Sequence, residues 1–375
     1  MKSFLNIICI FLCLNLYLSS FQISLFKQMS KQFKNRNLII SPLSIYHVLG
    51  LTTNGAKGET LKEMLSALEN KDLTELNKIN TNILKIIKKF STIEIANAIM
   101  TKVTPKKTFL DVASKYESSV ESLKDVTQVN NWCKLKTHGK INKILNNLTP
   151  TTVMVLLNAV YFKGVWFKKF NIKKTTKKSF YNLNDKSLVK QVDTMSVTDK
   201  FKYFKNRQLQ IIELPYMKDG MSAIILLPDK SKNINEFISE LEDDKISKLL
   251  KKMHQTKVNL ELPKFNLEFR TDLDSALHHL GMNLPYDWDK ADFSEMIKGT
   301  YIATVVHKTY LKIDEEGSVA AGATSVVMVT NSTRPLINYM KVDRPFLFMI
   351  RNNKLPQNYE MLFMAKTFLS HDTTS

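Results

Sequence analysis

The sequence predicts one domain of the α+β class, with helices and strands segregated along the chain. Three observations carry this. Up to Phe90 apolar residues recur at helical spacing; beyond Ser179 the chain breaks into short β-rich runs separated by turn residues; and strands and helices never alternate as βαβ units. Of the 375 residues 44% are apolar, enough for a substantial core. Glycine and proline number 10 each, and there is no linker, low-complexity tract or fixed-period repeat. A single domain over 21–375 follows.

The first predicted helix, Gln22 to Lys34, carries Ile23, Phe26, Met29 and Phe33 on one face. Ser41 then caps a second, with Pro42 as its first residue and Ile45, Val48, Leu49 and Leu51 on its apolar side. Thr60 to Leu68 and Leu73 to Phe90 are further amphipathic helices, Ile93 to Met100 has strand composition, and helical spacing returns from Val129 to Leu148. Val153 to Trp166 is a nearly unbroken apolar run that suits a strand buried on both faces. Strands are predicted at Lys200 to Tyr203, Leu209 to Leu214, Met221 to Leu227 and Lys257 to Phe265, with helices at Ile234 to Leu250 and Asp272 to Leu280 and a strand-like end.

Residues 1 to 20 read as Lys2, an apolar run from Phe4 to Leu18 interrupted by Asn6 and Asn15, then Ser19 and Ser20. The run is short for a membrane span and small residues follow it, the order of a secretory signal peptide. A secreted protein with no stable membrane anchor is expected. The two asparagines and the missing A-x-A site leave the other reading open, an uncleaved start to the first helix in a cytoplasmic protein. Cleavage would remove Cys9 and Cys13 and leave Cys133 alone, so the fold must rest on packing.

Lys and Arg number 54 against 35 Asp and Glu, a net charge of +19. The clusters are Lys85, Lys88 and Lys89, then Lys163 to Lys178, then Lys248, Lys251 and Lys252. Each reads as a solvated face or as a site for a glycosaminoglycan or other polyanion, with Lys85, Lys88 and Lys89 the candidate. No RNP, zinc-finger or helix-turn-helix pattern accompanies them, so nucleic acid is not an expected partner.

No enzyme motif emerges: there is no G-x-S-x-G, H-E-x-x-H or phosphate-binding glycine loop. The seven histidines do not fall at metal-ligand spacing, and the adjacent Glu315 and Glu316 should diverge. No metal or cofactor is expected. One segment is unusual: Ser318 to Val329 is small, apolar and β-prone where an exposed loop should be polar. Read with period two, Ser318, Ala320, Gly322, Thr324, Val326 and Met328 share one face, the face of a strand not yet in its sheet.

Beyond residue 20 the chain resembles the serpin family over essentially its whole length. The motifs are Asn37 to Ile45 with Gly55 to Thr60, Asn158 to Trp166, Glu213-Leu214-Pro215-Tyr216, Leu227-Pro228, Pro263-Lys264-Phe265, Ala291 to Ser294 and Asp343 to Phe348, in the family's order. The resemblance implies a serpin fold with three β-sheets, about nine helices and an exposed reactive-centre loop at about 315–338. It implies a monomeric suicide inhibitor, not an enzyme. A serine or cysteine endopeptidase would be caught as a covalent acyl-enzyme complex while the cleaved loop enters the main sheet.

By motif, the hinge would be Glu315, Glu316, Gly317, Ser318, Val319, Ala320, Ala321, Gly322, Ala323 and Thr324. Ser41, Ser44, Asn158 and His307 would form the polar cluster under the sheet, with Trp166 near the entry point. Counting from Gly317 puts the reactive bond at Asn331-Ser332; counting back from Pro345 points to Arg334, and Met328 is a third candidate. Two departures are Val319, where an acidic residue is usual, and Ala365, where glycine is usual. With the long loop, Val319 keeps open the alternative of a non-inhibitory binding or carrier member. Asn331-Ser332-Thr333 and Asn147-Leu148-Thr149 are glycosylation sequons.

Overall fold

Helix α1, Phe21–Gln32, opens the domain, with Ser20 tied by its backbone N–H and hydroxyl to Asp243 at 2.6 and 2.7 Å. The structure, a computed structural model, describes residues 20–90, 92–182, 189–217, 220–317 and 337–369. Strand β1, Leu38–Ile40, leads into α2, Pro42–Thr53, whose twelve residues are all buried; it starts at Pro42 as expected, but Ser41 makes no side-chain cap hydrogen bond. Helix α3 is Gly58–Ala67. Helix α4, Leu73–Ile87, is capped by Asp72, whose carboxylate accepts from the Glu75 N–H at 2.8 Å.

Strand β2, Ile93–Thr101, is followed by α5, Lys107–Lys115, β3, Ser119–Ser122, and α6, Val126–Lys136. Helix α6 ends earlier than its apolar spacing suggests. His138 and Gly139 both take positive φ, and the Gly139 N–H returns to Lys134 O, closing the last turn. Helix α5 escapes the sequence pattern because it buries only Phe109 and Ala113. Strand β4, Met154–Phe162, is buried at all nine positions, as its unbroken apolar run predicts.

Next come β5, Thr176–Tyr181, β6, Val189–Lys205, β7, Leu209–Pro215, and β8, Met221–Pro228. The helix expected from Ile234 to Leu250 is two, α7, Ile234–Ser239, and α8, Asp243–Lys251, with Leu241 buried in the break. Strands β9, His254–Pro263, and β10, Phe265–Asp272, precede α9, Asp274–His279. Pairing with β11, Thr304–Ile313, holds Asp272 in β10 and delays that helix. Strands β12, Asn338–Lys341, β13, Phe346–Asn352, and β14, Met361–Thr367, close the chain, giving nine α-helices among the described residues.

The strands form a five-stranded sheet, β10-β11-β4-β2-β3, and a nine-stranded ladder running β1-β14-β13-β8-β7-β6-β9-β12, with β5 also on β6. Two of the three implied sheets are joined because β6, at 17 residues, pairs with β9 along much of its length and with β7 only from Lys202 to Lys205. Helix α2 packs against both β4 and β14, so the core lies between the sheets. Lys366 on β14 is wholly buried, its ammonium ringed by acceptors, Ser30 O in the last turn of α1, Phe33 O and Lys34 O beyond it, and Asn235 Oδ1.

Candidate functional site

The site is built on β4 and β11, neighbours in the five-stranded sheet that run parallel, with His307 opposite Asn158. On the other side of β4, Asn158 lies opposite Asn97 of β2. Residues directly opposite on neighbouring strands point to the same face, so the register alone assembles a row of Asn97, Asn158 and His307, all buried.

The hydrogen bonds of this row settle its protonation. His307 Nε2 accepts the Ser41 backbone N–H at 3.1 Å, which places the imidazole proton on Nδ1, 2.5 Å from Asn158 Oδ1. Asn158 Nδ2 spends its two hydrogens on Ser44 Oγ and on Asn97 Oδ1. Burial pulls the His307 imidazole down to about 3, so it is neutral. Two residues further on, the Thr309 hydroxyl donates to Ile39 O at 3.0 Å. Ser41, Ser44, Asn158 and His307 are thus brought together. Ser41 contributes its backbone, and its buried hydroxyl has no partner among the described residues. Asn97 was missed by the sequence reading, although an asparagine set within the apolar stretch Ile95 to Met100 was its signal.

Pairing of β4 with β11 stops at Tyr161 and Tyr310. Beyond it, Asp314 to Gly317 form a tight turn in which Asp314 and Gly317 exchange backbone hydrogen bonds at 2.9 and 3.2 Å and the Asp314 carboxylate accepts the Glu316 N–H. Gly317 bridges to Val165 with φ at +137°, and a Cβ there would stand 2.1 Å from Gly164 O. Only glycine fits. Trp166 closes the same place: its backbone N–H donates to Glu316 O, its indole Nε1 to Asp314 O, both at 3.0 Å, and its ring stacks on Tyr216 at 4.4 Å.

Glu315 and Glu316 diverge as adjacent positions should. Glu315 accepts from Thr175 Oγ1 at 2.7 Å and pairs with Lys264 at 2.9 Å, while Glu316 pairs with Lys169 at 2.6 Å. Burial would raise the Glu315 carboxyl, but the Thr175 and Lys264 hydrogen bonds outweigh it and hold it below its usual range. Thr175 was not singled out in the sequence, Lys264 and Tyr216 entered only as members of family motifs and Lys169 only within the Lys163 to Lys178 cluster, because each is far along the chain from the turn it holds.

Ser318 to Thr324, Met328, Asn331, Ser332 and Arg334 lie outside the described residues, as does the apolar segment before Ser20. Lys85, Lys88 and Lys89 are exposed at the end of α4, with Lys88 paired to Glu117. In the second lysine cluster, Lys168, Lys177 and Lys178 pair with Asp199, Asp193 and Glu261. Asn147 is exposed. Cys133 is buried, and its thiol is pushed up to about 12. No helix among the described residues is long and apolar enough to cross a membrane.

The serpin family model, described as serine protease inhibitor, matches residues 17–368. Iripin-2 of Ixodes ricinus is 34% identical over 345 residues, 85% of each chain. Human serpin B8 is 33% identical over 364 residues, 89% of this chain and 94% of its own. Among solved structures, the thermophilic serpin tengpin in its native state matches with a TM-score of 0.83 at 32% identity, covering 94% of this chain and 92% of its own.

Proposed function

Because the chain belongs to the serpin family, we propose that it is a single-use inhibitor of a serine or cysteine endopeptidase that traps its target by inserting a cleaved loop between β4 and β11. The observation that supports this most is the parallel β4–β11 pair ending at the Asp314–Gly317 turn. Chain that leaves this turn and doubles back runs antiparallel to β11, and therefore to β4 as well. Such a strand would replace one parallel interface with two antiparallel ones, each slightly more stable per residue. Its inward face, with Ser318, Ala320 and Gly322 first, starts with the side chains that need least room.

In the trapping step the peptidase nucleophile attacks the carbonyl carbon of Asn331, the bond we assign as reactive. The C–N bond breaks, the Ser332 nitrogen leaves with a proton as a free amine, and Asn331 stays on the enzyme as an ester or thioester. Insertion then drags the enzyme away from its docking position. Hydrolysis needs water, base and oxyanion donors aligned to a fraction of an ångström, so distortion at this stage stalls it. We assign the protein to the secreted space on residues 1–20, and Lys85, Lys88 and Lys89 to contact with a polyanion on their exposure.

The test incubates the protein with trypsin-, chymotrypsin- and elastase-like enzymes and with an asparaginyl cysteine peptidase. An SDS-stable complex and a gain in thermal stability after cleavage are expected. Cleavage with neither result would overturn inhibition by insertion and favour the carrier reading.

A further inference from the structure

The outer face of strands β6, β9 and β12 carries a charge arrangement that folding alone does not favour. Register sets Lys200 of β6 directly opposite Lys257 of β9. Side chains opposite each other on antiparallel strands stand with Cβ atoms about 5 Å apart, and like charges there weaken the ladder. Neither ammonium makes an ion pair among the described residues, whereas Lys202, two residues along β6, pairs with Glu213 at 3.3 Å.

In the other direction the next row holds Thr198, Asn259 and Tyr339, with Asn259 Nδ2 donating to Thr198 Oγ1 at 2.7 Å. Side chains two apart along a strand share a face, so both rows look the same way. Lys200 and Tyr339 are exposed and Lys257 is half-buried. Two uncompensated cations beside an exposed tyrosine ring are the complement of a surface rich in carboxylates.

Position names the occupant. Strand β12 begins at Asn338, seven residues beyond Asn331, and seven residues span at most about 25 Å. A peptidase held at Asn331 therefore stands within reach of this face before any insertion. We propose that Lys200, Lys257 and Tyr339 form a docking surface for an acidic patch beside the active-site cleft of the target peptidase, and so help to set which peptidase is caught. This rests on the inhibitory reading. Opposed charges at such a face act mainly on encounter, raising the association rate in a way that salt removes. Tyr339 adds contact area at small entropic cost.

The test follows the rate at which the SDS-stable complex forms with whichever peptidase of the panel gives one. The double variant Lys200→Gln, Lys257→Gln should slow it about tenfold at low ionic strength. The gap should close near 1 M salt, where the screening length is about 3 Å. Stoichiometry and the gain in thermal stability after cleavage should stay parental, because insertion does not use this face. Lys257→Glu makes an opposite-charge pair with Lys200, so it should raise the melting temperature of the uncleaved protein and yet slow complex formation, a split that a structural role would not give. Parental rates in both variants would overturn the docking surface and leave inhibition intact. Slowing seen only with added heparin would give the face to a polyanion and overturn it too. If no peptidase yields a complex or a stability gain, the inhibitory reading falls and the docking surface with it.

Discussion

His307 on β11 and Asn158 on β4 stand opposite each other in a parallel register, their side chains joined from Nδ1 to Oδ1 at 2.5 Å. This bond crosses the seam that an inserted strand would have to part. Two strands held by ladder bonds and a buried side-chain bond do not separate without disturbing Asn97, Ser44 and Ser41 as well.

Replacing the imidazole should therefore weaken the closed sheet. His307→Leu leaves the Ser41 N–H and Asn158 Oδ1 buried without partners, at a cost of about 1–3 kcal/mol for each. Urea unfolding of the uncleaved protein should show the loss. An unchanged midpoint would mean that the row does not hold the sheet shut.

Acid should destabilise the protein through the same residue. Burial holds His307 at about 3 against an ordinary 6.5, and burial also lowers His47. The unfolded chain binds these protons more readily, so stability is fully present above about pH 6.5 and falls as pH drops from there towards about 3. Unfolding midpoints collected over this range should slope less steeply in His307→Leu than in the parent, and identical slopes would contradict the assignment.

At the turn, Gly317→Ala places a methyl group against Gly164 O and forces a side chain into positive φ. A loss of roughly 1–3 kcal/mol is expected from the backbone strain alone, read as a lower melting temperature of the uncleaved protein. Wild-type stability in this variant would show that the turn is not held as described.

Glu315 anchors the turn to Lys264 and Thr175. Its lowered folded value means that its contribution is present above about pH 4.5 and is lost as pH falls below that. Glu315→Gln should cost about 1–3 kcal/mol at neutral pH, the value of a hydrogen-bonded charge, and much less in acid. Equal cost at both would rule out a charge-dependent anchor.

Ala320→Arg tests the inward face. A guanidinium that must enter the sheet interior resists burial, so this variant should be cleaved by the target and released instead of forming the covalent complex. Complex formation on gels at the parental yield would falsify the register assigned to Ser318, Ala320 and Gly322.

The sequence alone made the α+β class, the buried β4 run, the Pro42 helix start and the family legible, though not that the Ser41 hydroxyl would leave the helix uncapped. These are local patterns or motifs, and a side chain's burial and a proline's place at a helix start follow from neighbours a few residues away. It also singled out four members of the polar cluster through the resemblance. What it left out was Asn97 as their partner, the hold of Lys264 and Thr175 on Glu315, the stacking of Trp166 on Tyr216, and the joining of two sheets through β6. Each depends on strand register between segments far apart in sequence. A shift of one residue in β4 against β2 or β11 would turn Asn158 to the opposite face and dissolve the row. That register is chosen by the packing of both sheets around α2, which only the tertiary structure decides.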